Sequence, residues 1–295
     1  MSDILDILIC PICSAKLTYD GGSLKCPTRH TFDISKSGYV NLLPPGKGRN
    51  AHTGDERDMV KARAEFLSHG YYDSLDMRSA EIIRDYLPTN EITLIDLGAG
   101  EGRHTLNVTS ELIRHDRKVQ AIGFDASKYA VECGMKKAFA AGLSSRNPYD
   151  SDKSPLVFIP ANIFSLPVCD NCADVCISMF APIPWDEARR VMKKSSQSLL
   201  IVLSSGKNHL IELRSLIYDN VSISDSHPTA NEYFKLVDTS ELCYNVHIDN
   251  GDDIKNLFTM TPFYYKTTEE GKNRLYSHTQ LDVTVDVNYT IYSLI

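Results

Sequence analysis

The chain has 295 residues, 42% of them hydrophobic and 23% charged, with a formal net charge of −7. That length holds one large α/β domain with an appendage, or two domains, and the composition excludes disordered and fibrous classes. The charge is uneven: residues 1 to 50 hold six Lys/Arg against four Asp/Glu, a balance of +2, and the remainder 25 against 34, a balance of −9.

The N-terminus carries Asp3 and Asp6 with no basic region, unlike a secretory signal. Cys10-Pro-Ile-Cys13 and Cys26-Pro-Thr-Arg-His30 then form two knuckles. Cysteines at this spacing, closed by a Cys and a His, can complete a tetrahedral shell around one zinc ion. Between the knuckles, short strands around Asp20-Gly21-Gly22 read as a hairpin. A region this short buries too little apolar surface to fold alone, so the metal would supply its folding energy. Four protein ligands leave no open position, which makes this zinc structural.

A strand-like run follows His30, and Pro44-Pro45-Gly46-Lys47-Gly48-Arg49 reads as a loop. From Asp55 the period changes: Met59, Ala62, Phe66 and Leu67 share a helical face, with Asp55 and Glu56 suiting the start of the helix, and Gly70 ends it. Residues 75 to 87 form a second amphipathic helix, stopped by Pro88.

LIDLGAGEG, residues 94 to 102, is a buried strand running into a glycine turn and a helix. Such turns are expected to point N–H donors at a ligand. Dinucleotide binders need G-x-G-x-x-G, but Arg103 occupies the last position. Asp96 and Glu101 place carboxylates beside Gly98 and Gly100, where they would repel a pyrophosphate but suit a sulfonium and an ammonium. Asp125 ends the next apolar run, AIGFD. A helix over 127 to 142, a polar loop, and the strand LVFIPAN ending at Asn162 come next. Cys169 and Cys172 have no second ligand pair at useful spacing, and Val175 and Ile177 alternate as in a strand, so these thiols read as core or surface groups. LLIVL at 199 to 203 is the longest apolar run near a strand, far short of a membrane span, and DVTVDVNYTIYSLI should supply the final strands.

The D-x-G-x-G-x-G stretch with Asp125 resembles class I S-adenosylmethionine-dependent methyltransferases. That resemblance implies a Rossmann-like α/β sheet, ribose hydroxyls held by Asp125, and adenine near Asn162. The knuckles, GYVNLL, the Gly54-Asp55 before A-R-A-x-F-L, Gly70-Tyr71-Tyr72, FAPI, HLIELRSLIY and MTPF narrow it. Together they resemble the 23S rRNA (guanine-N1-)-methyltransferases over nearly the whole chain. The lysine-proline-glycine-glycine common before the fifth strand is replaced by KSSQ, residues 194 to 197.

The family resemblance implies a zinc-binding β domain at 1–36, a linker strand and helices at 37–88, and a methyltransferase domain at 89–295. It implies S-adenosylmethionine and one structural Zn2+ as cofactors. The cofactor site would comprise Tyr72, Asp96, Gly98, Gly100, Glu101, Asp125, Asn162 and His209, and the metal site Cys10, Cys13, Cys26 and His30. A 23S rRNA stem-loop is the implied substrate and a homodimer the implied assembly; the lack of a signal-like N-terminus and of a membrane-length run leads to an expected cytoplasmic location. Guanine N1 is protonated at neutral pH, so a base is expected. Asp55, His209 and Glu212 are candidates among which the sequence does not choose. Phe180 either stacks on the guanine or packs in the core. Lys16, Lys25, Arg29, Lys47 and Arg49 are the basic residues on or near the zinc unit. Two rival readings are a small-molecule methyltransferase, separated by assaying rRNA against metabolites, and an inactive zinc-containing RNA-binding protein, separated by cofactor titration.

Overall fold

The computed structural model describes residues 4–44, 55–150, 154–195, 197–221 and 231–295. A short helix α1 (Ile4–Ile7) leads into a three-stranded antiparallel sheet, β1 (Thr18–Asp20), β2 (Ser23–Lys25) and β3 (Thr31–Asp33). The expected hairpin is there: Thr18 pairs with Lys25, and Gly21 and Gly22 make the turn at positive φ. This unit is stitched to the rest of the chain. Ile9 N donates to Pro167 O (2.9 Å), Cys169 N to Ile7 O (2.8 Å) and Leu42 N to Pro160 O (3.1 Å).

Two helices follow, α2 (Arg57–Ser68) and α3 (Asp73–Tyr86). The apolar stripe read from the sequence is the buried one: Met59, Ala62, Phe66 and Leu67 all face inward. The sheet then alternates with helices through β4 (Glu91–Leu97), α4 (Arg103–Arg114), β5 (Lys118–Asp125), α5 (Lys128–Ala140), β6 (Leu156–Pro160), β7 (Val175–Met179), α6 (Trp185–Val191), β8 (Leu199–Ser205) and α7 (Ile211–Ile217). Strand β7 is buried at every position, not alternately, because helices cover both faces of a parallel sheet. The KSSQ turn includes Ser196, which lies outside the described residues.

Chain end and sheet edge are less regular than the sequence implied. DVTVDVNYTIYSLI is one strand, β10 (Leu281–Leu294), antiparallel to both β8 and β9 (Phe234–Ile248). Between β9 and β10 stand α8 (Gly251–Thr259), a 3-10 turn (Pro262–Tyr265) and α9 (Glu269–Tyr276), which the alternating pattern of the last third concealed. Asn250 and Thr268 cap these helices through their side chains. The strand order is β6-β5-β4-β7-β8-β10-β9, a Rossmann-like α/β sheet, joined to a small N-terminal β unit, as the resemblance implied. The order reverses between β4 and β7, and ligands bind open α/β sheets in the crevice at the carboxyl ends of strands there.

Phe158 explains three glycines. Its ring lies where a Cβ on Gly102, Gly123 or Gly134 would fall, at 2.7, 2.4 and 2.9 Å. Only bare backbone lets β5, α4 and α5 close on that ring, so Gly102 serves helix-to-sheet packing beneath the turn.

Candidate functional site

The metal cluster is assembled by the turn after Ile9 and the β2–β3 connection. The four ligand atoms of Cys10, Cys13, Cys26 and His30 lie within 4.8 Å of one another. Tetrahedral zinc, with Zn–S about 2.3 Å and Zn–N about 2.0 Å, requires edges of about 3.8 Å between sulfurs and 3.5 Å from sulfur to nitrogen. The Cys13 and Cys26 sulfurs are 3.7 Å apart, and His30 Nδ1 lies 3.5 Å from Cys10 Sγ and 3.4 Å from Cys26 Sγ. The donor set fits zinc, with His30 offering Nδ1. Thr28 Oγ1, 3.0 Å from both Cys13 and Cys26 sulfurs, gives them a hydrogen-bond partner outside the shell. Cys169 and Cys172 join no such cluster; the Cys172 thiol donates to Cys169 O at 3.1 Å.

At the switch point a cavity of 1410 Å³ opens, and all eight residues expected of a cofactor site line it: Tyr72, Asp96, Gly98, Gly100, Glu101, Asp125, Asn162 and His209. A pocket for one small ligand spans about 300–1,000 Å³, so this one has room for a cofactor and a base together. The glycine turn differs from expectation in one respect. Gly98 N and Ala99 N both donate to Phe124 O (2.9 Å each), Gly100 N to Asp125 Oδ2 (2.9 Å), and Gly102 N to Ala99 O (3.1 Å). Four of the turn's N–H groups are thus engaged inside the fold. A pyrophosphate, which needs such N–H groups, would find none of these four. Gly98, at φ +93°, admits no side chain, because a Cβ would lie 2.8 Å from Ala181 Cβ on the facing loop.

The carboxylates are held in three different ways. Asp96 is buried at the end of β4; Thr105 Oγ1 donates to its Oδ2 (2.6 Å), while Oδ1 has no hydrogen-bond partner among the described residues. Burial raises its carboxyl to about 6, against the Thr105 hydroxyl. Asp125 accepts from Gly100 N and from Ser127 N (2.7 Å), and burial raises it too, those N–H groups opposing. Glu101 is paired with Lys137 of α5 and accepts from Arg103 N (3.2 Å), so its charge is largely compensated. The orphaned Asp96 oxygen is the feature that fits a cationic ligand, since leaving it unpaired costs about 1–3 kcal/mol.

Opposite the glycine turn stands an aromatic wall. Tyr72, at the N-terminus of α3, is buried with its hydroxyl unpartnered among the described residues, and its ring meets His209 edge-on at 6.3 Å. Phe180 stacks on His209 at 5.5 Å and 29°. Its backbone sits at φ 52°, and the side chain is 44% exposed into the cavity, which disposes of the core-packing reading. Asn162 also lines the cavity, its Oδ1 accepting from Phe164 N (3.1 Å).

The candidate bases separate. Glu212 accepts from Thr284 N (2.8 Å) and Thr284 Oγ1 (2.6 Å) and is not among the cavity residues. His209 Nδ1 accepts the Asp286 N–H (3.2 Å), and burial pushes the imidazole down to about 4, so the neutral ring carries its proton on Nε2 and offers a donor. Asp55 lines the cavity in an ion pair with Arg63. Of the basic residues on the zinc unit, Lys16 pairs with Asp6 (2.9 Å) and Lys25 with Asp20 (2.6 Å); Lys47 and Arg49 lie outside the described residues.

Sequence reasoning missed several cavity residues. Arg63, visible only as part of A-R-A-x-F-L, and His104, whose Nδ1 lies 2.6 Å from the buried Asp76, both line the wall. Met260 to Phe263 reach it from the concealed helical excursion.

A family model described as RlmA, N-terminal, a zinc ribbon, matches residues 8–49. A Micromonospora griseorubida protein provisionally named a 23S rRNA (guanine-N(1)-)-methyltransferase is 31% identical over 230 residues, covering 72% of this chain and 70% of its own. The 23S rRNA (guanine(748)-N(1))-methyltransferase of Streptomyces fradiae is 29% identical, covering 72% and 68%. A Bacillus subtilis relative, YxjB, similarly named, is 27% identical over 96% of this chain and 95% of its own. A zinc-ribbon shell and a carboxylate-lined cavity at the sheet's switch point meet in one chain with these relatives: it is a methyltransferase that uses S-adenosylmethionine and zinc, and it belongs to the 23S rRNA (guanine-N1-)-methyltransferase family.

Proposed function

We propose that this chain transfers the methyl group of S-adenosylmethionine to N1 of a guanine in a stem-loop of 23S rRNA, acting in the cytoplasm as a homodimer. The observation that carries the reading is a buried Asp96 oxygen without a hydrogen-bond partner among the described residues, beside a glycine turn in which the Gly98, Ala99, Gly100 and Gly102 N–H groups are engaged, in a cavity large enough for cofactor and base. Residues 1–36 would form the zinc unit, 37–88 the connection, and 89–295 the catalytic domain.

The bound cofactor supplies a methyl group already activated on a sulfonium. The protein's part is to align a nucleophile with it and keep water out. Gly98, Gly100 and Glu101 would form the floor, Asp96 would face the ammonium, Asp125 the ribose and Asn162 the adenine. Tyr72 and His209 would close the cavity. Phe180, exposed beside His209, offers a stacking face for a base taken out of its duplex. The His209 Nε2–H is a donor suited to the guanine carbonyl next to N1, an interaction that strengthens as N1 loses its proton.

Asp96 gives this reading a pH dependence. Its carboxyl stands near 6 in the fold against about 3.9 unfolded, so in the free protein it contributes stability below about pH 4 that is lost as pH rises through 6. An ammonium ligand prefers the carboxylate, so cofactor affinity should fall as the pH drops below 6, by about tenfold between pH 7 and pH 5. Calorimetric titration across that range checks it; a flat profile removes Asp96 from the site.

Reverse transcription on deproteinised 23S rRNA after incubation with the enzyme tests the function itself. An N1 methyl blocks pairing, so one new stop next to a loop guanine is expected, and methylation confined to small molecules would replace this reading with the rival one.

A further inference from the structure

We infer that Arg63 binds the carboxylate of the cofactor's amino-acid end, an inference that rests on the cofactor reading above. S-adenosylmethionine brings one anionic group into a cavity walled by Glu56, Asp96 and Asp125, together with Asp55 and Glu101, whose charges Arg63 and Lys137 balance. A carboxylate entering that field is repelled unless a cation stands where it lands. Three Lys/Arg side chains line the described wall: Arg63, Lys128 and Arg214. Lys128 opens α5, past Asp125 in the chain. Arg214 Nη1 donates to His209 O (3.2 Å), beside the Tyr72 and Phe180 rings that meet His209.

Arg63 alone of the three lies on the glycine turn. A Cβ on Gly100 would fall 3.4 Å from its Nη1, and its charge is felt by Asp125 on one side and by His104 on the other. The guanidinium is fixed in place: Nη1 pairs with Asp55 and Nη2 donates to Met260 O (3.1 Å). Asp55 is fixed in turn by Ser127 Oγ, which donates to its carbonyl (2.9 Å). Among the described residues two of the five guanidinium N–H groups are engaged, and the fork geometry suits a carboxylate. Orienting the arginine before the ligand arrives lowers the entropy lost on binding.

The test compares two ligands on two proteins by calorimetric titration: S-adenosylmethionine and its decarboxylated analogue, with the zinc-loaded wild-type chain and Arg63→Met. Loss of a charge-assisted pair corresponds to about a ten- to hundredfold change in affinity. The wild type should bind the decarboxylated ligand weaker by that factor, and Arg63→Met should bind both ligands alike, near the weaker value. Arg63→Lys, which keeps a charge but not the fork, should retain part of the discrimination, and it serves should the Met variant fail to fold. Equal weakening of both ligands in Arg63→Met would mean that Arg63 only holds Asp55 and Met260 together, and would overturn the inference. A wild type indifferent to the carboxylate would do the same without any variant. Failure of the wild type to bind either ligand would instead overturn the cofactor reading.

Discussion

Asp125→Ala is expected to weaken S-adenosylmethionine binding by about a thousandfold while leaving the chain folded. The carboxylate stands at the end of β5, where Gly100 N and Ser127 N donate to it at 2.9 and 2.7 Å. Each oxygen retains acceptor capacity, which the ribose hydroxyls would use. Hydrogen bonds to a charged group contribute about 1.5–3 kcal/mol each, so losing two costs about 3–6 kcal/mol, and a thousandfold is about 4 kcal/mol. The glycine turn would also lose the acceptor that fixes Gly100, which adds to the effect on binding. Global stability should change little, because Gly98 N and Ala99 N remain bound to Phe124 O and the sheet beneath is untouched. Calorimetry with a thermal melt separates the two quantities. Unchanged affinity in a folded variant would remove the ribose role.

Stripping zinc should unfold the N-terminal unit and abolish methylation of rRNA. Zinc binding contributes about 10–16 kcal/mol to the folding of comparable small units, which their few buried side chains cannot replace. The three short strands here show Leu24 as the one fully buried side chain among nine residues. The loss should spread beyond the unit. Ile9 and Leu42 donate to Pro167 and Pro160, which bracket the segment carrying Asn162, so the Asn162 end of the cavity loosens when the shell opens. Cofactor affinity should fall by about tenfold and rRNA methylation by at least about a hundredfold, both restored by added zinc. A chelated chain that still methylates rRNA at full rate would show that the unit is dispensable.

The parts of this molecule written in local chemistry were legible in the sequence. Knuckle spacing gives the metal shell, because four ligands within thirty residues must converge once a hairpin joins them. D-x-G-x-G-x-G with Asp125 gives one edge of the cavity, because adjacent parallel strands bring their carboxyl ends together. What depended on distant contacts was hidden. Arg63 reaches the glycine turn only because Met260, 197 residues later, returns over it. The compensation of Glu101 by Lys137 depends on how α5 lies against the turn. That Gly98 N and Ala99 N are engaged depended on the position of Phe124 O. The helices between β9 and β10 were a different failure: Asn250 before Asp252-Asp253 and Thr268 before Glu269-Glu270 are capping signals visible in the sequence, outweighed by the alternation around them.

The chemistry itself is read most directly by digesting enzyme-treated 23S rRNA to nucleosides and identifying the methylated species by mass spectrometry. Label from S-adenosylmethionine should appear in 1-methylguanosine, in an amount that saturates near one per rRNA molecule. Label in another methylated nucleoside, or none in rRNA from a chain that binds the cofactor, would contradict the account.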